Sequence, residues 1–98
     1  QAETYAAECM IMDAARRRDA GEDVTLLASS TKLFATEACG RVADRAVQVF
    51  GGAGYVSDYG IERFYRDVRI FRLYEGTSQI QQIIIARELA KAAKAGRL

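Results

Sequence analysis

An all-α fold, an up-and-down antiparallel helical bundle, is what this sequence predicts, and three observations predict it. Proline is absent, so nothing forbids long helices, and glycine supplies the punctuation. Apolar residues recur at helical spacing along most of the chain. The stretches between periodic segments are short, and short connections make consecutive helices antiparallel neighbours.

The first helix is expected over about Ala2 to Ala20, with Ala2, Tyr5, Ala6, Cys9 and Met12 on one stripe. Arg16, Arg17 and Arg18 fall in its last turn, where cations oppose the negative end of the helix dipole. Gly21 suits the left-handed residue that ends such a helix. Asp23 is placed to cap the second helix. Its apolar face, carried by Leu27, Thr31, Phe34, Ala35, Ala38, Val42, Ala46 and Val49, continues to Phe50. Gly51 to Gly60 is a turn region, and Ile61, Phe64, Tyr65 and Val68 then predict a short third helix. The final helix starts at Ser78, with Ser78 and Gln81 as a capping box and Ile80, Ile83, Ile84 and Arg87 on one face that Ile85 and Leu89 widen. Three successive isoleucines favour a strand locally, but the helix-forming residues on both sides outweigh them by length. The tail from Lys91 is expected to fray.

Bulk chemistry excludes several functions. A net charge of +1 with 28% charged residues of both signs makes no nucleic-acid groove or anionic-membrane surface. Histidine is absent, which removes His-dependent triads, and no cysteine pair has metal-ligand spacing, so no metal is expected. Cys9 and Cys39 read as separate reduced thiols. No apolar run approaches the length of a membrane span, and no secretory pattern opens the chain. Its 98 residues, half of them hydrophobic, suit one small domain. The chain starts without Met and drops directly into helical periodicity, so it is expected to be an incomplete piece of a longer protein. Four helical segments, one of them short, would leave an apolar face bare, and self-association is the expected remedy.

Two glycine-containing breaks carry the chemistry. Tyr74-Glu75-Gly76-Thr77-Ser78-Gln79-Ile80-Gln81 sets one carboxylate on a short turn immediately before an apolar helix. A carboxylate held there is placed for proton chemistry on a ligand, although residue type alone favours the plainer account, dipole complementarity and exposure to water. Upstream, Gln48-Val49-Phe50-Gly51-Gly52-Ala53-Gly54-Tyr55 ends a long helix. It lacks a following Gly-Lys-Ser/Thr and no strand precedes it, so it is neither a P-loop nor a dinucleotide fingerprint. Arg63, Arg66, Arg69 and Arg72 recur every third residue and read as a solvated face paired with Glu62 and Asp67.

In this order and separation, the two breaks resemble the C-terminal α-helical domain of the acyl-CoA dehydrogenase flavoprotein family, from about Thr25 to Leu89. The resemblance implies that residues 1–98 form that domain of an FAD-dependent enzyme, without its N-terminal helical and middle β-domains. It implies that Glu75 abstracts the α-proton of an acyl-CoA thioester while the β-hydride passes to flavin N5. The Glu75 N–H and a flavin hydroxyl would hold the thioester oxygen. It makes Thr77 and Gln79 flavin contacts, with Gly76 and Tyr74 lining the acyl-CoA side. Gln48, Gly51 and Gly52 would touch FAD bound mainly by a neighbouring subunit.

The same resemblance implies an electron-transfer flavoprotein as acceptor, a homodimer or homotetramer, and a bacterial cytoplasmic or mitochondrial-matrix location. The chain alone would be inactive. Relatives commonly carry Arg after the residue matching Gln81; Gln82 stands here, and any contact of that arginine is lost. A flavin oxidase or monooxygenase of the same fold, and a non-catalytic helical oligomerisation module, are the alternatives.

Overall fold

The computed structural model describes residues 1–97 and contains four α-helices: α1 (Ala2–Asp19), α2 (Thr25–Phe50), α3 (Ile61–Arg69) and α4 (Ser78–Lys94). Short 3-10 turns at Gly51–Gly54, Ser57–Tyr59 and Ile70–Arg72 connect them, and no strand occurs among the described residues. Asp23 does fasten the start of α2: its carboxylate accepts from the Thr25 backbone N–H at 3.0 Å and from the Thr25 hydroxyl at 2.6 Å.

α2 is the axis against which every other helix packs. α1 folds back along it, so that Arg41 in the second half of α2 donates to Glu3 near the start of α1 at 2.8 Å. α3 then runs back beside the C-terminal half of α2, and α4 continues in the same sense beside its N-terminal half. The Arg72 guanidinium over Gly40 and the Ser78 hydroxyl on Glu37 mark the change from one helix to the next. The result measures 54 × 24 × 21 Å, and α2 alone spans about 39 Å.

The core is thin. Among the described residues only Ala38 and Ala43 are buried hydrophobics, and Ser29, Thr31, Ser78 and Gln81 are buried beside them. Small residues on α2 let helices approach closely, but they contribute little apolar area. Three sequence expectations shift for this reason. α1 turns Glu3, Ala6, Ala7, Met10 and Ala14 toward the bundle, leaving Tyr5, Cys9 and Met12 exposed. α4 packs through Ser78, Gln81, Ile84, Ile85 and Glu88, while Ile80, Ile83 and Arg87 face outward. On α2 the expected face holds as far as Ala38 and then moves to Ala43 and Val47, with Val42 and Val49 bare.

The N-cap of α4 is displaced by one residue, and among the described residues the expected capping box does not form, since the Gln81 amide donates to the Gly76 carbonyl instead. Thr77 is the N-cap of α4, its hydroxyl accepting from the Ile80 N–H at 3.2 Å, and Ser78 is occupied elsewhere. α4 continues past Lys91 to Lys94. Cys9 is exposed and Cys39 half-buried, both as free thiols. Among the described residues, no helix is long and apolar enough to cross a membrane.

Candidate active site

After α3 the chain tightens into a 3-10 turn, in which the N–H groups of Leu73 and Tyr74 both return to the Ile70 carbonyl, at 2.9 and 3.1 Å. Two left-handed residues follow, Glu75 at φ 52° and Gly76 at φ 90°. Glu75 is the one non-glycine residue with positive φ among those described. Left-handed backbone costs a side-chain-bearing residue about 1–2 kcal/mol, so this glutamate is held where a glycine would sit more easily. The site requires Gly76 on two counts. Its φ is positive, and a Cβ there would stand 2.6 Å from Gln81 Nε2.

α2 holds this turn through two charged side chains. Lys32 donates from Nζ to the Tyr74 carbonyl at 2.8 Å and to the Gly76 carbonyl, so the Tyr74–Glu75 and Gly76–Thr77 peptides are tied to one ammonium. The same nitrogen lies 6.0 Å from the centre of the Tyr74 ring. Buried Gln81 adds a third donor, reaching the Gly76 carbonyl at 3.3 Å.

Five residues further along α2, Glu37 accepts from the Ser78 hydroxyl at 2.8 Å through one oxygen and from Arg72 at 3.3 Å through the other. The Ser78 hydrogen bond, followed by the Arg72 and Arg41 charges, holds the Glu37 carboxyl below its ordinary value, against the opposing effect of burial. The turn is thus fixed at both ends: Arg72 before it and Ser78 after it bind the same carboxylate.

Where the expected residues lie is now plain. Tyr74, Glu75, Gly76, Thr77 and Gln79 form one patch, with Glu75 and Gln79 exposed, Tyr74 half exposed, and Gly76 and Thr77 half-buried. No acceptor among the described residues takes the N–H of Glu75, Gly76 or Thr77. Gln48, Gly51 and Gly52 are exposed at the opposite end of α2, about 24 Å along the helix from Lys32. The chain does not bring these two groups together. At that far end the Gln48 carbonyl accepts from the Gly51 N–H, and Gly54 is buried so tightly that a Cβ would lie 2.5 Å from the Val47 carbonyl oxygen. Arg66 and Arg69 line an open groove there with Asp44 and Glu62, and among the described residues no ion pair to Glu62 or Asp67 forms.

The family is decided by a match over residues 1–90 to the profile of the acyl-CoA dehydrogenase C-terminal domain. The chain belongs to the acyl-CoA dehydrogenase family. It is 47% identical over 88 residues to a cyclohexane-1-carbonyl-CoA dehydrogenase of Geobacter metallireducens, covering 90% of this chain and 23% of that protein. Over 86 residues it is 46% identical to a 3-(aryl)acrylate reductase of Clostridium sporogenes and 44% identical to a caffeyl-CoA reductase-Etf complex subunit of Acetobacterium woodii, each covering 88% of this chain and 23% of the relative. The butyryl-CoA dehydrogenase structure from Megasphaera elsdenii superposes with a TM-score of 0.85 at 34% identity, over 90% of this chain and 23% of that one. The chain therefore spans about a quarter of the length of the proteins it matches.

For an acyl-CoA dehydrogenase domain, the residues that sequence reasoning missed are those supporting the turn. Sequence patterning does not single out Lys32 or Glu37, and it places Arg72 on a solvated ridge, whereas the side chain is half-buried against Gly40 and Glu37. One signal was present. Lys32, Thr36 and Glu37 interrupt the middle of α2 beside its apolar face, where a helix needing only to pack would carry none of them.

Proposed function

We propose that this domain supplies the catalytic base of a flavin-dependent enzyme that interconverts an acyl-CoA thioester and its α,β-unsaturated form, with Glu75 as that base. The observation that carries the reading is Glu75 itself, a charged residue in left-handed backbone on a turn tied down on both sides. Strain of this kind persists where a side chain must be aimed, and a purely connecting turn would relax to glycine or asparagine.

The residues fit the cofactor and substrate that the family implies. Unpaired N–H groups at Glu75, Gly76 and Thr77, together with the α4 N-terminus, present donors to an anionic or carbonyl-bearing ligand. Thr77 and Gln79 would meet the flavin, and Tyr74 and Gly76 the thioester. Gln48, Gly51 and Gly52, a helix length away, would serve FAD held mainly by a neighbouring subunit, which accounts for two separate patches on one chain. A bound flavin supplies the hydride acceptor.

The chain's own contribution is proton chemistry. Exposed here, Glu75 would be enclosed by ligand and neighbouring domains in the complete enzyme, and such burial raises a carboxylate toward the pKa a carbon acid requires. The N–H of Glu75 stabilises the oxygen on which enolate charge develops. Two of the relatives are named reductases. Run in that direction, the same geometry makes Glu75 the group that protonates the α-carbon, as microscopic reversibility requires.

The large bare apolar side chains, among them Val49, Tyr55, Phe64 and Ile83, would be covered by the remaining domains and by other copies in a homodimer or homotetramer. An electron-transfer flavoprotein is the proposed redox partner. The deciding experiment is Glu75→Gln in the full-length flavoprotein. Flavin content should be unchanged while turnover falls by about 10²- to 10⁴-fold; a variant that turns over like the parent removes Glu75 from the role of base.

A further inference from the structure

Lys32 is a costly way to hold a turn. Its ammonium is half-buried and pairs with no carboxylate among the described residues; its two hydrogen bonds go to the Tyr74 and Gly76 carbonyls. A neutral amide such as Gln81, which already reaches one of those carbonyls, would serve a purely structural tie. Placing a cation there has two consequences for the peptide joining Tyr74 to Glu75.

The first is direction. No peptide bond among the described residues is cis, and in a trans peptide the C=O and N–H point to opposite sides. Drawing the Tyr74 carbonyl onto α2 therefore turns the Glu75 N–H away from α2, where no acceptor among the described residues takes it. The Gly76 carbonyl, held by the same ammonium, turns the Thr77 N–H outward in the same way. The second is strength. A cation on a carbonyl polarises the whole amide, and the N–H of that amide becomes a stronger donor.

We propose that Lys32 is a positioning residue for catalysis: it aims and polarises the Glu75 N–H as the donor to the thioester oxygen, acting through the Tyr74 carbonyl. This rests on the reading of Glu75 as base, and the test separates the two. The probe is an acyl-CoA with sulfur at the β-position, in the full-length flavoprotein. Its α-proton can leave, but the β-position carries no C–H from which hydride could pass, so the enolate accumulates and is read by its long-wavelength band with oxidised flavin.

Glu75→Gln should give no band, and a persistent band there sinks the base assignment alone. Lys32→Met should lower kcat by about 10- to 100-fold, with KM and flavin content within about twofold, and raise the midpoint pH of enolate formation by about one unit. Lys32→Gln, which keeps a neutral donor, should fall between Lys32→Met and the parent on both measures. In flavin-free protein with no thioester, the amide proton of Glu75, observed by selective ¹⁵N-glutamate labelling, should move upfield in Lys32→Met. An unchanged midpoint in Lys32→Met overturns the proposal, whether kcat falls or holds. Loss of flavin in both Lys32 variants assigns the residue to assembly and overturns it equally.

Discussion

The two glycine-containing turns of this domain are built by opposite means. The turn at Gly51–Gly54 is local: it follows directly from the end of α2, its first N–H returns to Gln48, and Gly54 packs against the carbonyl of Val47 seven residues before it. The turn at Tyr74–Gly76 is held from a distance, by Lys32 and Glu37 more than thirty residues away in sequence. A local turn needs only the right backbone. A turn fixed by two charges can hold a strained residue in one orientation, which is what a proton-transferring carboxylate requires.

Substitutions can break that contrast or sharpen it. The largest effect is expected from Gly76→Ala, which meets both a φ of 90° and the Gln81 amide at 2.6 Å. It should cost about 2–3 kcal/mol and at least tenfold in kcat, measured by thermal unfolding and steady-state kinetics of the full-length protein. Gly54→Ala should cost about 1–3 kcal/mol, because the obstacle is a backbone carbonyl that cannot swing aside. If the turns are independent, its kcat with bound flavin stays within about twofold of the parent.

Next comes Arg72→Met, which leaves Glu37 with the Ser78 hydroxyl but without its cation. Both partners are about a third exposed, so water screens much of the loss. A cost of about 1 kcal/mol is expected, appearing as faster amide exchange in residues 74–78 with exchange around Gly51 unchanged.

Acid should act on the same turn. The Glu37 carboxyl titrates below its ordinary value in the folded protein, so its contribution is fully present above that value. It is lost as pH falls below about 4.5 and through the folded value, and exchange at residues 74–78 should rise there before it rises near Gly51. The smallest expected change in stability is Thr77→Ala, which removes the α4 cap for about 1 kcal/mol by thermal unfolding. Because Thr77 is also a proposed flavin contact, any loss of turnover should follow flavin content.

Sequence reasoning located the four helices to within a few residues because their signals are local: periodicity, the Asp23 cap and glycine stops. It also proposes Glu75, Gly76 and Thr77 as site residues, since a carboxylate beside glycine at a helix start is visible in the string itself. It placed only part of the packed sides of α1 and α4, Ala6 on the first and Ile84 and Ile85 on the second. Both helices carry apolar residues all around, and their inward faces include Glu3, Ser78 and Gln81, which hydrophobic patterning counts as outward. Arg72 was hidden by the same bias, its neighbours at three-residue spacing being exposed while it alone turns onto Gly40.

Helix positions, the left-handed glycine and the presence of a lone carboxylate before α4 were settled by residue order, because each depends on backbone preferences and hydrogen bonds within a few positions. How that carboxylate is carried was decided only when α2 and α4 met. The Lys32 ammonium reaches the Tyr74 and Gly76 carbonyls, and Glu37 reaches Ser78 and Arg72, across separations of 35 to 44 residues. Contacts of that range have no signature in any short window of sequence, since they exist only where close packing against small side chains brings distant backbone within hydrogen-bonding distance of a charge.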